Sequence, residues 1–89
     1  MVVISAFTEA EVALAYCIFK TDRVNPWAYS TFEKSALNSI SLVAKKNEIT
    51  IGFVLLSSVL DESTIEEITV DINQRKKGIG RELIQATFT

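Results

Sequence analysis

The sequence predicts an α+β domain, layered in the manner of an α/β protein, with one sheet. Three observations carry that expectation. The periodicities run strand, helix, helix, three strands, helix along the chain. The first two helical stretches each open on a Ser/Thr-x-x-Glu box. The chain is 89 residues long and 48% apolar. That is enough for one small core, and a domain of this size buries roughly 60–65% of the surface its unfolded chain exposes.

Val2, Val3 and Ile4 read as a short first strand. Thr8-x-x-Glu11 is a capping box, so a helix should start near Glu9. Val12, Tyr16 and Phe19 then share a stripe, with Leu14 and Ile18 beside it, and that stripe should be buried. Cys17 lies on the same helix and reads as a small buried apolar residue. The chain has no histidine to activate it. Thr21 to Asn25 is a polar break, and Pro26 stops the first helix from continuing. Ser30-x-x-Glu33 is a second capping box and predicts a short helix through about Asn38. Trp27 and Phe32 fold onto the core or line a groove.

Ile40, Leu42 and Ala44 alternate with Ser41, Val43 and Lys45, as in a half-buried strand. Lys46-Asn47-Glu48 turns the chain; Asn-Glu suits a type I′ turn less well than Asn-Gly, which leaves a longer loop open. Ile49, Ile51, Phe53 and Leu55 alternate in the next strand. Val54 and Leu56 make its second half apolar on both faces, which predicts a central position covered on both sides. Gly52 marks a close approach by another group. Asp61 to Thr64 reads as a polar turn, and Ile65 to Asp71 as the fourth strand. Ile68 and Val70 share a face with which Ile65 is out of phase, so a β-bulge is expected between them. The last helix runs from about Gly78 toward Thr89. Ile79, Leu83 and Ala86 form one apolar line and Ile84 and Phe88 another, giving a face that covers the sheet.

Charge and composition exclude several functions. Net charge is −2, with Asp61, Glu62, Glu66, Glu67 and Asp71 crowded before Arg75, Lys76, Lys77 and Arg81. Positive charge this local suits a compact anion and argues against a nucleic-acid partner. No apolar run is long enough to span a bilayer, so no membrane association is expected. The opening MVVISAFTEAE has neither a basic n-region nor a long apolar h-region. With a single cysteine, this points to a reducing cytoplasm. No metal site is expected.

The stretch ITVDINQRKKGIGREL carries the chemistry. A strand that passes into a helix through glycines leaves helix N-terminal amides without partners, and the helix dipole adds partial positive charge there. Gly78 and Gly80 let the backbone approach a pyrophosphate without a Cβ in the way. Lys76, Lys77, Gly78, Ile79, Gly80 and Arg81 offer amides in a nest, and Arg75 with the lysines adds charge-assisted contacts. A Rossmann fingerprint would need Gly or Ala where Leu83 stands, and a P-loop would need Lys where Arg81 stands.

Arg75, Gly78 and Gly80 fit R/Q-x-x-G-x-G/A, and the stretch resembles the acetyl-coenzyme A pyrophosphate loop of the GNAT N-acetyltransferases, here at 74–81. Pro26-Trp27 followed by Phe32 resembles the PW-x-x-x-x-F stretch of the RimI-type ribosomal-protein-alanine acetyltransferases. Ala15-Tyr16 and the block from Leu60-Asp61-Glu62 to Val70-Asp71 fall in similar places. The resemblance implies the N-terminal portion of that acyl-CoA N-acyltransferase fold over 1–89, with a mostly antiparallel sheet and without the later strands and helix. It implies acetyl-CoA as co-substrate and the N-terminal alanine of a ribosomal protein as acceptor. It places the backbone of Ile68, Thr69 and Val70 against the pantetheine arm, beside a bulge that splays the fourth strand. It puts Trp27 and Phe32 at the flank of an acceptor groove. The family's glutamate base and tyrosine acid fall after the third helix, so no catalytic residue is assigned. Glu66 and Glu67 read as an exposed acidic strand edge.

An edge of this kind exposes unpaired N–H and C=O groups, and the folded species is expected to pair there with a second copy or to leave the edge open. The other readings are a different amine acetyltransferase of the same superfamily, and a non-catalytic interaction or dimerisation module.

Overall fold

Four strands and three helices make up the computed structural model over its described residues, which are 2–21, 23–38 and 40–88. Asp22 of the polar break and the expected helix end at Thr89 lie outside them. The elements are β1 (Val2–Ala6), α1 (Glu9–Thr21), α2 (Tyr29–Ala36), β2 (Leu42–Lys46), β3 (Ile49–Val59), β4 (Glu62–Val70) and α3 (Ile79–Thr87), with a 3₁₀ turn at Ile72–Gln74 before α3. The sheet order is β1-β2-β3-β4, every pair is antiparallel, and β4 is an edge.

The sheet is covered on both faces. On one, α1 and α2 pack Val12, Ala15, Phe19, Phe32 and Ala36 against Val43, Phe53 and Leu55. On the other, α3 packs Ile79 and Leu83 against Ala44, Ile51, Val54 and Leu56. The second half of β3 is thus buried on both sides, as its sequence predicts: Phe53, Val54 and Leu55 are fully buried and Leu56 nearly so. β2 departs from its half-buried expectation, because adjacent Val43 and Ala44 face different helix layers and are both buried. The α1 side is largely aromatic. Phe32 meets Phe53 edge-on at 5.3 Å, and Phe19 lies between Phe32 at 5.2 Å and half-buried Trp27 at 5.4 Å. Phe32 is therefore core, and Trp27 packs against it while its carbonyl accepts from the Tyr16 hydroxyl at 2.7 Å.

The first capping box forms. Thr8 donates its amide and its hydroxyl to the two Glu11 carboxylate oxygens at 2.7 and 2.8 Å, and Lys45 Nζ stands 3.6 Å from Oε2. Burial alone pushes the Glu11 carboxyl up. The Thr8 amide and hydroxyl, with Lys45, outweigh it and hold the carboxyl below its ordinary value of 4.5. The second box does not form. α2 begins two residues earlier, with Ala28 as its N-cap and no side-chain cap, because Tyr29 packs edge-on against Tyr16 at 5.1 Å and draws the helix start forward. It also ends at Ala36, short of Asn38. Asn38 instead accepts from the Ile40 and Ser41 amides, each at 3.0 Å, and donates to the Leu56 carbonyl. Ser41 Oγ accepts from the Leu56 amide at 3.0 Å and donates to the Ser35 carbonyl at 3.0 Å.

Two bulges set the registers. Ile51 has no partner between the pairs Lys45↔Thr50 and Ala44↔Gly52, so it turns to the α3 face and away from Phe53 and Leu55, with which the alternation had grouped it. Glu66 has no partner between Leu56↔Ile65 and Leu55↔Glu67, which is the slip expected from the phase of Ile65. Gly52 meets the close approach its composition predicts: a Cβ there would stand 3.1 Å from the Thr69 carbonyl oxygen.

Both hairpins are tight. Asn47 and Glu48 have φ 52° and 66°, as a type I′ turn requires, so no longer loop forms. The second turn is at Leu60-Asp61, φ 50° and 67°, and Ser63 and Thr64 pair in the ladder where a polar turn was expected. Backbone pairing carries that extension without apolar side chains. The helix faces also differ from expectation in places. Leu14 and Cys17 lie on the outward side of α1 and are exposed, with Ala15 taking the inward position. On α3 the Ile79–Leu83 line covers the sheet, but Ile84 and Phe88 are 40% and 76% exposed.

Candidate functional site

The edge of β4 and the start of α3 meet at a built junction. β4 ends at Val70; the Asp71 amide donates to the Ile51 carbonyl at 2.8 Å, and its carboxylate accepts from the Asn73 amide at 3.0 Å to cap the 3₁₀ turn. Arg75 then folds back so that Nε donates to the Val70 carbonyl at 3.0 Å. Lys76 has φ 67° and Gly78 φ 80°, both left-handed. Successive bends of this kind turn neighbouring amides to one side, the geometry of an anion nest.

Gly78 is the N-cap of α3 and caps it with no side chain. The first helical bond runs from the Glu82 amide to the Gly78 carbonyl at 3.0 Å, so the amides of Ile79, Gly80 and Arg81 precede it. These are the orphan donors at the positive end of the helix dipole. Lys76, Lys77 and Arg81 are exposed around them, and none forms an ion pair among the described residues. The Ile79 side chain is buried in the core, leaving only its amide for a ligand.

The two glycines have different physical reasons. Gly78 is needed for its own backbone, since φ 80° strains an L side chain. Gly80 is not: its backbone is helical, and a Cβ there would meet nothing within 4 Å. Glycine in a helix costs stability relative to alanine, and none of the described residues fills the space it leaves.

That space belongs to a cleft of about 410 Å³ that wraps the free edge of β4. Ile68, Thr69 and Val70 form its wall along the strand, Arg75, Gly80 and Ile84 close the α3 side, and Arg23 enters from the α1 side. The residues expected to hold the pantetheine arm are thus brought together with Arg75 and Gly80, while Lys76, Lys77 and Arg81 flank the same helix start. A second cavity of about 240 Å³ lies on the other side of Arg75, between α1 and the 3₁₀ turn.

Arg23 is the residue that sequence reasoning missed. Its guanidinium sits 5.0 Å from the centre of the Phe19 ring, donates from Nη2 to Thr69 Oγ1 at 3.2 Å and pairs with Glu67 Oε2. Thr69 Oγ1 donates to the same carboxylate oxygen at 2.8 Å. Glu67 is therefore half-buried and tied, not an exposed strand edge, because β4 turns it toward the α1 layer where Arg23 waits. Glu66, the bulge residue, stays exposed and accepts from Ser35 Oγ at 3.2 Å. No local pattern marks Arg23, whose partners stand more than forty residues downstream.

Comparison with known proteins bears on the family and the fold. A family model described as Acetyltransferase (GNAT) family matches residues 7–88. The [ribosomal protein bS18]-alanine N-acetyltransferase of Escherichia coli is 28% identical over 83 residues, which are 92% of this chain and 56% of that protein. A crystal structure of the ribosomal-protein-alanine N-acetyltransferase from Escherichia coli superposes with a TM-score of 0.85 at 28% identity, over 97% of this chain and 56% of that one. Diaminobutyrate acetyltransferase from Paenibacillus lautus, solved with its substrate diaminobutyric acid and coenzyme A, gives a TM-score of 0.87 at 12% identity, over 100% of this chain and 57% of that one; it shows the fold alone. The chain spans about half the length of the curated relatives it matches, 56%. Among the described residues no helix is long and apolar enough to cross a membrane.

Proposed function

This chain belongs to the Acetyltransferase (GNAT) family, and from that premise we propose that the junction of β4 and α3 binds acetyl-CoA, as the co-substrate of an amine N-acetyltransferase. The observation that carries the reading is Gly80, a helical glycine whose missing side chain leaves open space beside three uncapped amides. A diphosphate fits there: the amides of Ile79, Gly80 and Arg81 face it, and Arg75, Lys76, Lys77 and Arg81 supply opposite charge. The arm beyond the diphosphate runs along Ile68, Thr69 and Val70, whose outer backbone groups have no neighbouring strand.

Acetyl transfer needs the thioester held, the amine deprotonated and the departing thiolate protonated. The residues named here serve the first requirement only. For the acceptor we propose the N-terminal alanine of a ribosomal protein, in the cytoplasm. The resemblance of the Pro26-Trp27 to Phe32 stretch suggests this acceptor, while the 28% identity to the Escherichia coli enzyme supports an amine acceptor in general. Calorimetric titration of acetyl-CoA into the chain and into Gly80→Trp tests the site. Binding by the parent that is lost in the variant is the expected result, and absence of binding by the parent overturns the reading. An acetylation assay comparing a ribosomal N-terminal peptide with a small diamine tests the acceptor.

A second use of the same edge follows from exposed Ile84, which lines the cleft beside β4, and from exposed Phe88 at the end of the same helix. Pairing with a second copy would cover them and would compete with the ligand for the strand. Sedimentation should then show a dimer that acetyl-CoA shifts toward monomer.

A further inference from the structure

Arg23 has no part in the phosphate junction, yet it enters the same cleft from the opposite face of the sheet. Both of its polar side-chain contacts use Nη2. Guanidinium carries five N–H donors in a fixed fork, and among the described residues Nε and Nη1 have no partner. The ion pair with Glu67 already offsets its charge. A neutralised guanidinium with spare donors suits a neutral carbonyl oxygen better than a further anion. Its position along the strand agrees. Arg75 is anchored at the Val70 carbonyl, and Arg23 at Thr69 and Glu67. The two anchors differ by up to three residues, or about 10 Å at the rise of a β-strand.

Resting on the acetyl-CoA reading above, we infer that Arg23 binds a carbonyl oxygen on the neutral arm of the coenzyme, an amide or the thioester, and so fixes the acyl end against β4. Phe19 beneath the guanidinium and the Glu67–Thr69 pair beside it hold the fork in plane, so that little side-chain freedom is lost on binding. The phosphates are read at one end of the cleft and the carbonyl-bearing arm at the other.

Two probes separate the ends. Adenosine 3′,5′-bisphosphate carries phosphates without the arm, and acetyl-CoA carries both. Each is titrated by calorimetry into the parent chain, into Arg23→Lys and into the double variant Arg23→Leu/Glu67→Leu. The lysine keeps the ion pair and lacks the fork; the double variant removes both charges together and leaves no carboxylate unpaired. Circular dichroism melts confirm that each variant folds. The expected result is a loss of about five- to tenfold in acetyl-CoA affinity in both variants, the scale of one hydrogen bond, with bisphosphate affinity unchanged. Equal losses for the two probes, or no loss for either, overturn the inference and leave the phosphate site standing. A parent chain that binds neither probe overturns the site itself, and the role of Arg23 with it.

Discussion

Replacing Gly80 with alanine should make the protein more stable, and replacing it with leucine should make it a poorer ligand binder. The position is helical and a Cβ meets nothing within 4 Å, so the methyl introduces no clash. Glycine costs about 0.8–1 kcal/mol against alanine in a helix interior, and in the first turn about half of that, ~0.5 kcal/mol, is a fair share. In a domain of this size 1 kcal/mol moves Tm by about 4–8 °C, so the expected rise is about 2–4 °C. The loop pattern accepts a methyl at this position, but a leucine side chain reaches into the space where a phosphate oxygen must come within about 2.9 Å of an amide nitrogen. Losing one charge-assisted hydrogen bond costs about 1.5–3 kcal/mol, or roughly 10- to 100-fold in Kd. Thermal melts followed by circular dichroism and calorimetric titration with acetyl-CoA read the two effects separately. A lower Tm would show that the protein itself needs the glycine. An unchanged Kd in the leucine variant would show that the open space is not where the ligand sits.

The other glycines should behave differently. Gly52→Ala places a Cβ 3.1 Å from the Thr69 carbonyl oxygen, so β4 must shift, and a loss of about 1–3 kcal/mol in denaturant unfolding is expected; Gly78→Ala strains a φ of 80° at a cost of about 1 kcal/mol. Glu11 has a folded pKa below its ordinary 4.5, so its stabilising share is complete above that value and is lost as pH falls through the lowered one. Glu11→Gln should therefore cost about 1 kcal/mol at neutral pH and converge with the parent in acid, as read from urea midpoints across pH; a constant gap would contradict the assignment. Cys17 is exposed and should react with a thiol reagent in the native chain about as fast as in denaturant; strong native protection would place it inside the core after all.

Local chemistry made much of this fold legible. Thr8 and Glu11 announced a helix start because the box is closed by groups three residues apart. The phase of Ile65 against Ile68 and Val70 revealed the Glu66 bulge, since a slip in a period of two has few other causes. Gly52 told of a neighbour's approach, and the glycines near Arg75 of the anion nest. What failed was decided at longer range. Ser30 has the right neighbours for a cap, but the contact between Tyr29 and Tyr16 sets where α2 begins. Cys17 and Ala15 are two residues apart on one helix, and only the placement of the sheet decides which is buried. The Arg23–Glu67–Thr69 cluster joins segments with no common pattern, and it changed Glu67 from a solvated edge residue into part of the cleft.

The bonds that Asn38 and Ser41 make to Leu56 have a mechanical consequence. β2 pairs with β3 no further than Leu42↔Val54, and from Leu56 onward those two side chains stand in for the strand that is not there. Past that point the end of β3 and the beginning of β4 project as a two-stranded ribbon, with the Glu66 bulge at its root. Asn38 and Ser41, with the Ser35 hydroxyl on Glu66 at the bulge, tie the root of this arm to the body. Weakening them would let it swing as a unit while both helix layers stay packed, and the acidic tip at Asp61 and Glu62 would sweep with it.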